Sequence, residues 1–385
     1  MTGGSTLEAA RQMRLGLAER SAAIEAAGRL PDVVVDELRD SGIPALWLPE
    51  ELGGTEATPA EVVDAIATLS AADGSTGWCA AVAVGTNALA AYLPADGAHD
   101  IFSASSITGG SFNPTGRATM AADGSLRLSG RWGFGSGSSH ADWLAGACLR
   151  VGDDGEPLTN DDGRPEARLA FFPTAVATIH ETWDTSGLRG TASHDYQVDA
   201  LDVPAAHTTS LPFTPWPAGA MWRMPPMPLF FAPLAAVSIG IARGAVDDLV
   251  ALARTKTPYR SARRLAERDV VQSMAARAEA ATRSARAFLL EALDGLWSSA
   301  AIDAEIRLEE RAIARLAVVN AAQAGMAAVD LCFEAAGTTA LFVDHPLQRR
   351  HRDVHAIGQH VVLAFPGLET VGRVLFGLEP DTPLL

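Results

Sequence analysis

Apolar residues recur every three to four positions from Leu7 to about Asp100, alternate singly with polar ones from Ile101 to about Pro212, and return to helical spacing afterwards. The first and third patterns each lay an apolar stripe along a helix, and the middle one lays an apolar face on strands. Two helix entries are marked: Pro31 opens PDVVVDELRDSG, and Thr58-Pro59 precedes AEVVDAIATLSAA. The segments SLRLSGRWGF, DWLAGACLRV, ARLAFFP and HDYQVDALDV predict a sheet or small barrel. Between the second and third of these, Val151 to Ala167 combines Gly, Asp and Pro and reads as an exposed hairpin loop. A proline-rich linker, LPFTPWPAGAMWRMPPMP, leads to three long alanine-rich patterns, Leu229–Arg254, Ser261–Trp297 and Ala304–Ala336, which predict a helical bundle. The expectation is an α+β chain in three parts: helical over 1–100, β over 101–215, and bundled helices over 216–385.

Composition narrows the function classes. Among 385 residues, 48% are hydrophobic and 20% charged, the mixture of a folded chain rather than a disordered one. The net charge is −16 and Lys256 is the single lysine, so no basic stripe exists to neutralise phosphates, and nucleic acid is not expected as a partner. Cys79, Cys148 and Cys332 lie far apart and form no CxxC, which points away from a disulfide framework or structural zinc and towards a reducing cytoplasm. The polar N-terminal stretch does not read as a signal peptide. The most apolar run, Leu229 to Ala242, contains Pro233 and reads as a buried helix, so no membrane partner is expected.

The phosphate-loop, dinucleotide-fold and serine-hydrolase signatures are absent. His351 and His355 stand four apart on a predicted helix, where two imidazoles could share one face for a metal, but no third ligand is evident from spacing, and no metal is expected. The most distinctive stretch is SGRWGFGSGSSHADW, Ser129 to Trp143. A strand bearing Trp132 and Phe134 runs there into a Gly/Ser turn, which is either a flat-ligand cradle or an aromatic-bearing hairpin.

Four motifs occur in order: DGSTGWCAAVAVG (73–85), SGRWGFGSGSSHADW (129–143), WDTSGLRGTAS (183–193) and FEAAGTTALFVDHPLQRRHRDVHA (333–356). Together they resemble the acyl-CoA dehydrogenase superfamily, and within it the two-component flavin-dependent monooxygenases. That branch includes the oxygenase components of p-hydroxyphenylacetate hydroxylase and of the secosteroid phenol hydroxylase. The resemblance implies an acyl-CoA dehydrogenase fold, with an N-terminal helical domain, a central β-domain and a C-terminal four-helix bundle assembled as a homotetramer. It also implies a separate NAD(P)H-dependent flavin reductase that delivers FADH2 or FMNH2. Oxygen from O2 would then be transferred through a C4a-(hydro)peroxide to a small aromatic or polycyclic substrate.

The dehydrogenases of the superfamily use a glutamate base, whose two known positions correspond here to Val361 and Phe230, neither able to accept a proton. His355, three residues after Arg352, is where the resemblance implies the catalytic imidazole. The resemblance further implies flavin contacts from Trp78, Phe134, Ser136, Gly137, Ser138, Thr191 and Ser193, with Arg263, Gly337 and Thr338 near a phosphate or adenine group. Phenol-hydroxylating relatives carry a histidine eight residues after the tryptophan, where this chain has Thr86 followed by Asn87, so these two are the substrate-binding candidates. His140 is a third, either facing the pocket or anchoring the turn. Two other readings stand beside this one: a flavin oxidoreductase of the same fold with a different base, and a non-catalytic flavin- or ligand-binding protein.

Overall fold

The computed structural model describes residues 3–160, 163–210, 213–380, 382 and 385. The first part holds α1 (Gly3–Ala27), α2 (Asp32–Asp40), α3 (Pro59–Ser70), α4 (Gly74–Asn87) and α5 (Ala95–Ile101). Thr58 caps α3 as its sequence predicts: its hydroxyl accepts from the Glu61 N–H while the Glu61 carboxylate accepts from the Thr58 N–H. Asp73 caps α4, accepting the Thr76 N–H at 2.7 Å. Helix α4 is buried along almost its whole length, which small side chains allow. A Cβ on Gly77 would stand 1.9 Å from the Ser70 Oγ, so α3 and α4 touch backbone to backbone there.

The middle part is one seven-stranded sheet in the order β5-β6-β2-β1-β3-β4-β7. Its strands are β1 (Thr108–Met120), β2 (Leu126–Gly135), β3 (Trp143–Arg150), β4 (Ala167–Pro173), β5 (Thr178–His180), β6 (His194–Val203) and β7 (Thr208–Ser210). All neighbours are antiparallel except β1 and β3, which run parallel with Thr108 opposite Trp143. The long β1 escapes the alternation pattern because TGGSFNPTGRATM carries glycines and Pro114. Its register shifts between Ser111 and Gly116, around that proline. Trp132 is core rather than ligand cradle: its indole stacks on Tyr196 at 5.3 Å, and its N–H donates to the Ala147 carbonyl at 2.7 Å. The predicted hairpin loop is present as exposed chain closed by Val151–Pro157 and Thr159–Pro165 bridges, with Asp161 and Asp162 outside the described residues.

The last part comprises α6 (Ala220–Arg223), α7 (Pro226–Thr255), α8 (Asp269–Ala301), α9 (Leu308–Ala336), α10 (Pro346–Ile357) and α11 (Gly367–Leu375). Helix α7 is long and apolar enough to cross a bilayer, but 94% of that apolar window is buried inside the protein. Two helices start later than their sequence pattern predicts. Pro258 ends the helical path after α7, and residues up to Arg268 form turns before α8 begins at Asp269. The start of α9 falls at Leu308, where Glu310 accepts from the Arg307 backbone N–H at 2.9 Å.

Candidate active site

Helix α4, the turn after β2, the turn before β6 and the chain following α10 converge on one set of hydroxyls. The Trp78 indole N–H donates to Ser136 Oγ at 2.9 Å. Ser136 Oγ lies 2.7 Å from Ser193 Oγ, which lies 2.7 Å from Thr191 Oγ1. Thr191 in turn donates to the Leu188 carbonyl at 2.8 Å. Ser138 donates to the Ala192 carbonyl at 3.1 Å, and the Gly137 N–H to the Thr191 carbonyl at 2.9 Å. The structure therefore brings together Trp78, Ser136, Gly137, Ser138, Thr191 and Ser193, drawn from three motifs, with Trp78 58 residues before Ser136 and Ser136 57 before Ser193.

Three non-glycine residues at this junction hold left-handed backbone: Phe134 (φ 61°), Leu188 (φ 53°) and Ala192 (φ 45°). Each such residue stores about 1–2 kcal/mol, and strain of this kind persists where a site demands it. At Phe134 the cause is a bulge, since the β2–β6 register shifts between Trp132 and Gly135. The bulge swings the Phe134 ring outward, 76% exposed, edge-on to Trp183 at 6.1 Å. Trp183 is itself tied to the junction, donating its indole N–H to the Leu188 carbonyl at 2.9 Å. Exposed aromatic faces beside a row of hydroxyls match a flat heteroaromatic ring with polar edges, so the residues present fit an isoalloxazine.

The imidazole that meets Trp78 is His360, which sequence reasoning missed. Its ring lies edge-on to Trp78 with centroids 5.3 Å apart. Burial, aided by the Arg315 charge, depresses its pKa to about 4, so it is neutral at physiological pH. The Val362 N–H donates to its Nδ1 at 3.4 Å, which leaves the proton of the neutral ring on Nε2. The signal in the sequence was weak: His360 stands seven residues after Asp353, beyond the helix, in a turn that spacing rules do not place.

His355 is a correction. Asp353 faces α4 and the Leu188 turn, where its Oδ1 accepts the Leu188 N–H at 2.7 Å. Two residues on, a helix has turned about 200°. His355 therefore points the opposite way, half-exposed, with Nε2 2.8 Å from Asp330 Oδ1 on α9. It is separated from the Trp78 junction by its own helix.

Thr86 and Asn87 are likewise turned inward. The Asn87 amide donates to the Pro44 and Ser106 carbonyls, both at 2.9 Å, and its oxygen accepts from Thr108 Oγ1 at 2.7 Å. The Thr86 hydroxyl donates to the Val82 carbonyl one turn earlier. Both pin α4 to β1 and offer a substrate little. His140 packs beneath the turn, 3.2 Å from where a Gly137 Cβ would stand, with both ring nitrogens buried and burial pushing its pKa down to about 4. Its contact with the turn is packing, since neither ring nitrogen has a hydrogen-bond partner.

The structure does not bring Arg263 or the Gly337-Thr338 turn into the hydroxyl row. Lys256, at the end of α7, donates to the Ala336 carbonyl and to Thr339 Oγ1, both at 2.6 Å. Arg263 pairs with Asp269 at 3.5 Å, exposed. One turn-pair beyond Trp78 on the same face of α4, Gly85 opens space against Phe230, whose ring packs on Phe112 at 5.6 Å and Phe213 at 6.0 Å. Phe213 continues to Tyr92, and Tyr92 to Trp222, at the edge of a groove of about 490 Å³.

This architecture, two helical units flanking a β-unit with a hydroxyl-lined aromatic junction, is that of an acyl-CoA dehydrogenase-type flavoprotein. Residues 7–99 match the N-terminal domain model of acyl-CoA dehydrogenase, and residues 232–365 match the C-terminal one. The chain is 32% identical over 350 residues to indole-3-acetate monooxygenase of Pseudomonas putida, covering 90% of this chain and 87% of that one. It is 29% identical to the oxygenase component of an FADH2-dependent resorcinol hydroxylase of Rhizobium sp., over 92% of this chain and 90% of that one. Its structure superposes on XiaF from Streptomyces sp., solved with FADH2 and glycerol, with a TM-score of 0.92 at 25% identity, covering 100% of this chain and 98% of that one. The chain belongs to the flavin-dependent monooxygenases built on the acyl-CoA dehydrogenase fold.

Proposed function

We propose that this protein is the oxygenase component of a two-component system that oxygenates a small, largely apolar aromatic or polycyclic molecule, an indole-like bicycle being the leading class. The observation that carries the reading is the Trp78–Ser136–Ser193–Thr191 hydrogen-bond row, held by strained turns and faced by His360. Trp78, Ser136, Thr191 and Ser193 would hold the polar edge of a reduced flavin, with Phe134 and Trp183 beside its ring system. Reduced flavin supplies the electrons and the activation of O2; a separate NAD(P)H-dependent reductase supplies the reduced flavin.

His360 keeps a proton at Nε2 without carrying a charge, so it is a hydrogen-bond donor set beside the Trp78 indole. It stabilises a developing negative charge in front of it and excludes a water molecule from that place. Val361 is 68% exposed and Phe230 is packed in aromatics, so neither dehydrogenase base position carries a proton acceptor. The Phe112, Phe213 and Phe230 rings favour an aromatic substrate recognised by its faces, in line with the indole-3-acetate and resorcinol for which the relatives are named.

The homotetramer belongs to this reading. Only half of the apolar window over Leu308–Leu341 is buried in the single chain, and Leu341, Phe342, Val343 and Phe365 stand exposed nearby. Those surfaces support assembly through the bundle. A cytoplasmic setting fits three reduced, buried cysteines and a dependence on NAD(P)H.

The test is turnover with an added NADH-dependent flavin reductase, catalytic FAD or FMN, and a panel of indoles and phenols under isotopically labelled O2. A product with one labelled oxygen atom supports the reading. NADH consumption that yields only hydrogen peroxide across both classes contradicts the substrate assignment.

A further inference from the structure

Two imidazoles and a carboxylate meet on the outer side of the bundle, away from the hydroxyl row. His351 and His355 stand one turn apart on α10, and Asp330 faces them from α9. Asp330 Oδ1 lies 2.8 Å from His355 Nε2 and 3.3 Å from His351 Nε2, and all three donor atoms fall within 4.8 Å of one another. The two imidazole centroids are 4.5 Å apart, and Phe333 lies against the His351 ring at 4.4 Å, holding it on the Asp330 side. We infer that Asp330, His351 and His355 form a binding site for one divalent transition-metal ion, of the class of Zn²⁺, Co²⁺ or Ni²⁺.

The spacing supports the assignment. Metal–nitrogen and metal–oxygen bonds of about 2.0–2.2 Å place tetrahedral donors about 3.4 Å apart. Two of the observed separations, 2.8 and 3.3 Å, are within about 0.6 Å of that, and the third is at most 4.8 Å, so closing the site takes rotamer adjustments that bring the two imidazole nitrogens together by up to about 1.4 Å. The backbone beneath them is already fixed, because α9 and α10 are packed helices and an i, i+4 histidine pair shares one face. Donor chemistry selects the metal: two imidazoles with one carboxylate suit borderline ions over Mg²⁺ or Ca²⁺. The side chains are 35%, 43% and 48% exposed for His351, His355 and Asp330, which leaves an entry path and open coordination positions on the solvent side.

A simple hydrogen bond between Asp330 and His355 does not account for the second imidazole. One carboxylate oxygen here faces two Nε2 atoms, an arrangement that a single cation satisfies at once. The bound ion would tie α10 to α9 immediately before Gly358, where the chain turns towards His360. The inference does not depend on the flavin reading, since neither helix face touches the hydroxyl row.

The experiment uses the untagged full-length protein, stripped with a chelator, titrated with Co²⁺ while visible d–d absorption is recorded, and with Zn²⁺ by calorimetry. One ion per chain is expected, with a rise in thermal midpoint on binding. Asp330→Asn, His351→Ala and His355→Ala should each weaken binding by about tenfold or more. All three are half-exposed, so they should keep the metal-free thermal midpoint of the parent. Absence of stoichiometric binding would overturn the inference. So would binding that persists unchanged in the His351→Ala/His355→Ala double variant, and should that double variant fold poorly, an Asp330→Asn affinity equal to the parent's does the same.

Discussion

Asp353 offers a direct check of how the junction is assembled. It is 4% exposed, its Oδ1 accepts the Leu188 N–H, and Asp73 at the start of α4 is a near neighbour. Burial lifts its pKa from 3.8 to about 7, with the Asp73 charge adding to the rise while the Leu188 hydrogen bond and Arg349 oppose it. Between those two values the folded chain holds a proton that the unfolded chain has released, so stability falls as pH rises. Its contribution is complete in acid, below the ordinary value, and is lost as pH climbs through about 7. Integrating the linkage from about pH 5 to about pH 8 gives roughly 2.6 kcal/mol, a change of about 90-fold in the folding constant. Asn keeps an oxygen for the Leu188 N–H but cannot titrate. The stability of Asp353→Asn relative to wild type should therefore rise by about 2.6 kcal/mol across that range. Relief of Asp73, also raised by burial, acts in the same direction. Urea unfolding of both proteins at a series of pH values and one protein concentration reads this directly. The slope carries the test, not the offset, and a difference that is flat or falls with pH refutes the account of this carboxylate.

His360→Ala should abolish most coupled oxygenation while His355→Ala leaves it within about twofold, measured as product formed per NADH with the reductase present; the distinction follows from which imidazole meets Trp78. Ser136→Ala and Ser193→Ala should each weaken reduced-flavin affinity by about fivefold, the worth of about one neutral hydrogen bond, and should also lower the flavin-free thermal midpoint, because each removes a buried hydrogen bond of the row. Gly77→Ala forces a methyl to within 1.9 Å of Ser70 Oγ and should destabilise the fold by about 1–3 kcal/mol or more in denaturant unfolding. Ser70→Gly should recover part of that loss, and full-length stability in the single variant would refute the close α3–α4 contact.

Much of the fold is legible in the chain because its elements carry local signals. The capping box at Thr58 and Glu61, and the alternation in ARLAFFP and HDYQVDALDV, match β4, β6 and the start of α3. What stays hidden is held by tertiary packing. Strand β1 has no alternating apolar face, because its glycines make room for its neighbours: a Cβ on Gly116 would come within 2.6 Å of Trp132. The α8 start is shifted because the chain after Pro258 turns back on the end of α7, the Leu265 N–H donating to the Lys256 carbonyl at 2.8 Å, a tertiary contact that spacing does not announce. The hydroxyl row is foreshadowed by Ser and Thr clustered in two Gly-containing turns. The histidine is not, because His355 and His360 lie five residues apart and only the turn at Gly358 decides which of them reaches Trp78. Asn87 shows the converse, a polar residue in the right motif whose amide is taken up inside the protein.

The central claim is that this junction binds reduced flavin and protects its reaction with oxygen. The most direct test is anaerobic titration of the purified protein with reduced and oxidised FAD and FMN, followed by rapid mixing with oxygenated buffer under absorbance detection. The account predicts tighter binding of the reduced flavin and a transient near-ultraviolet band of oxygenated flavin, shortened in His360→Ala. Tight binding of oxidised flavin, with reoxidation at the rate of free flavin and no transient, would contradict it.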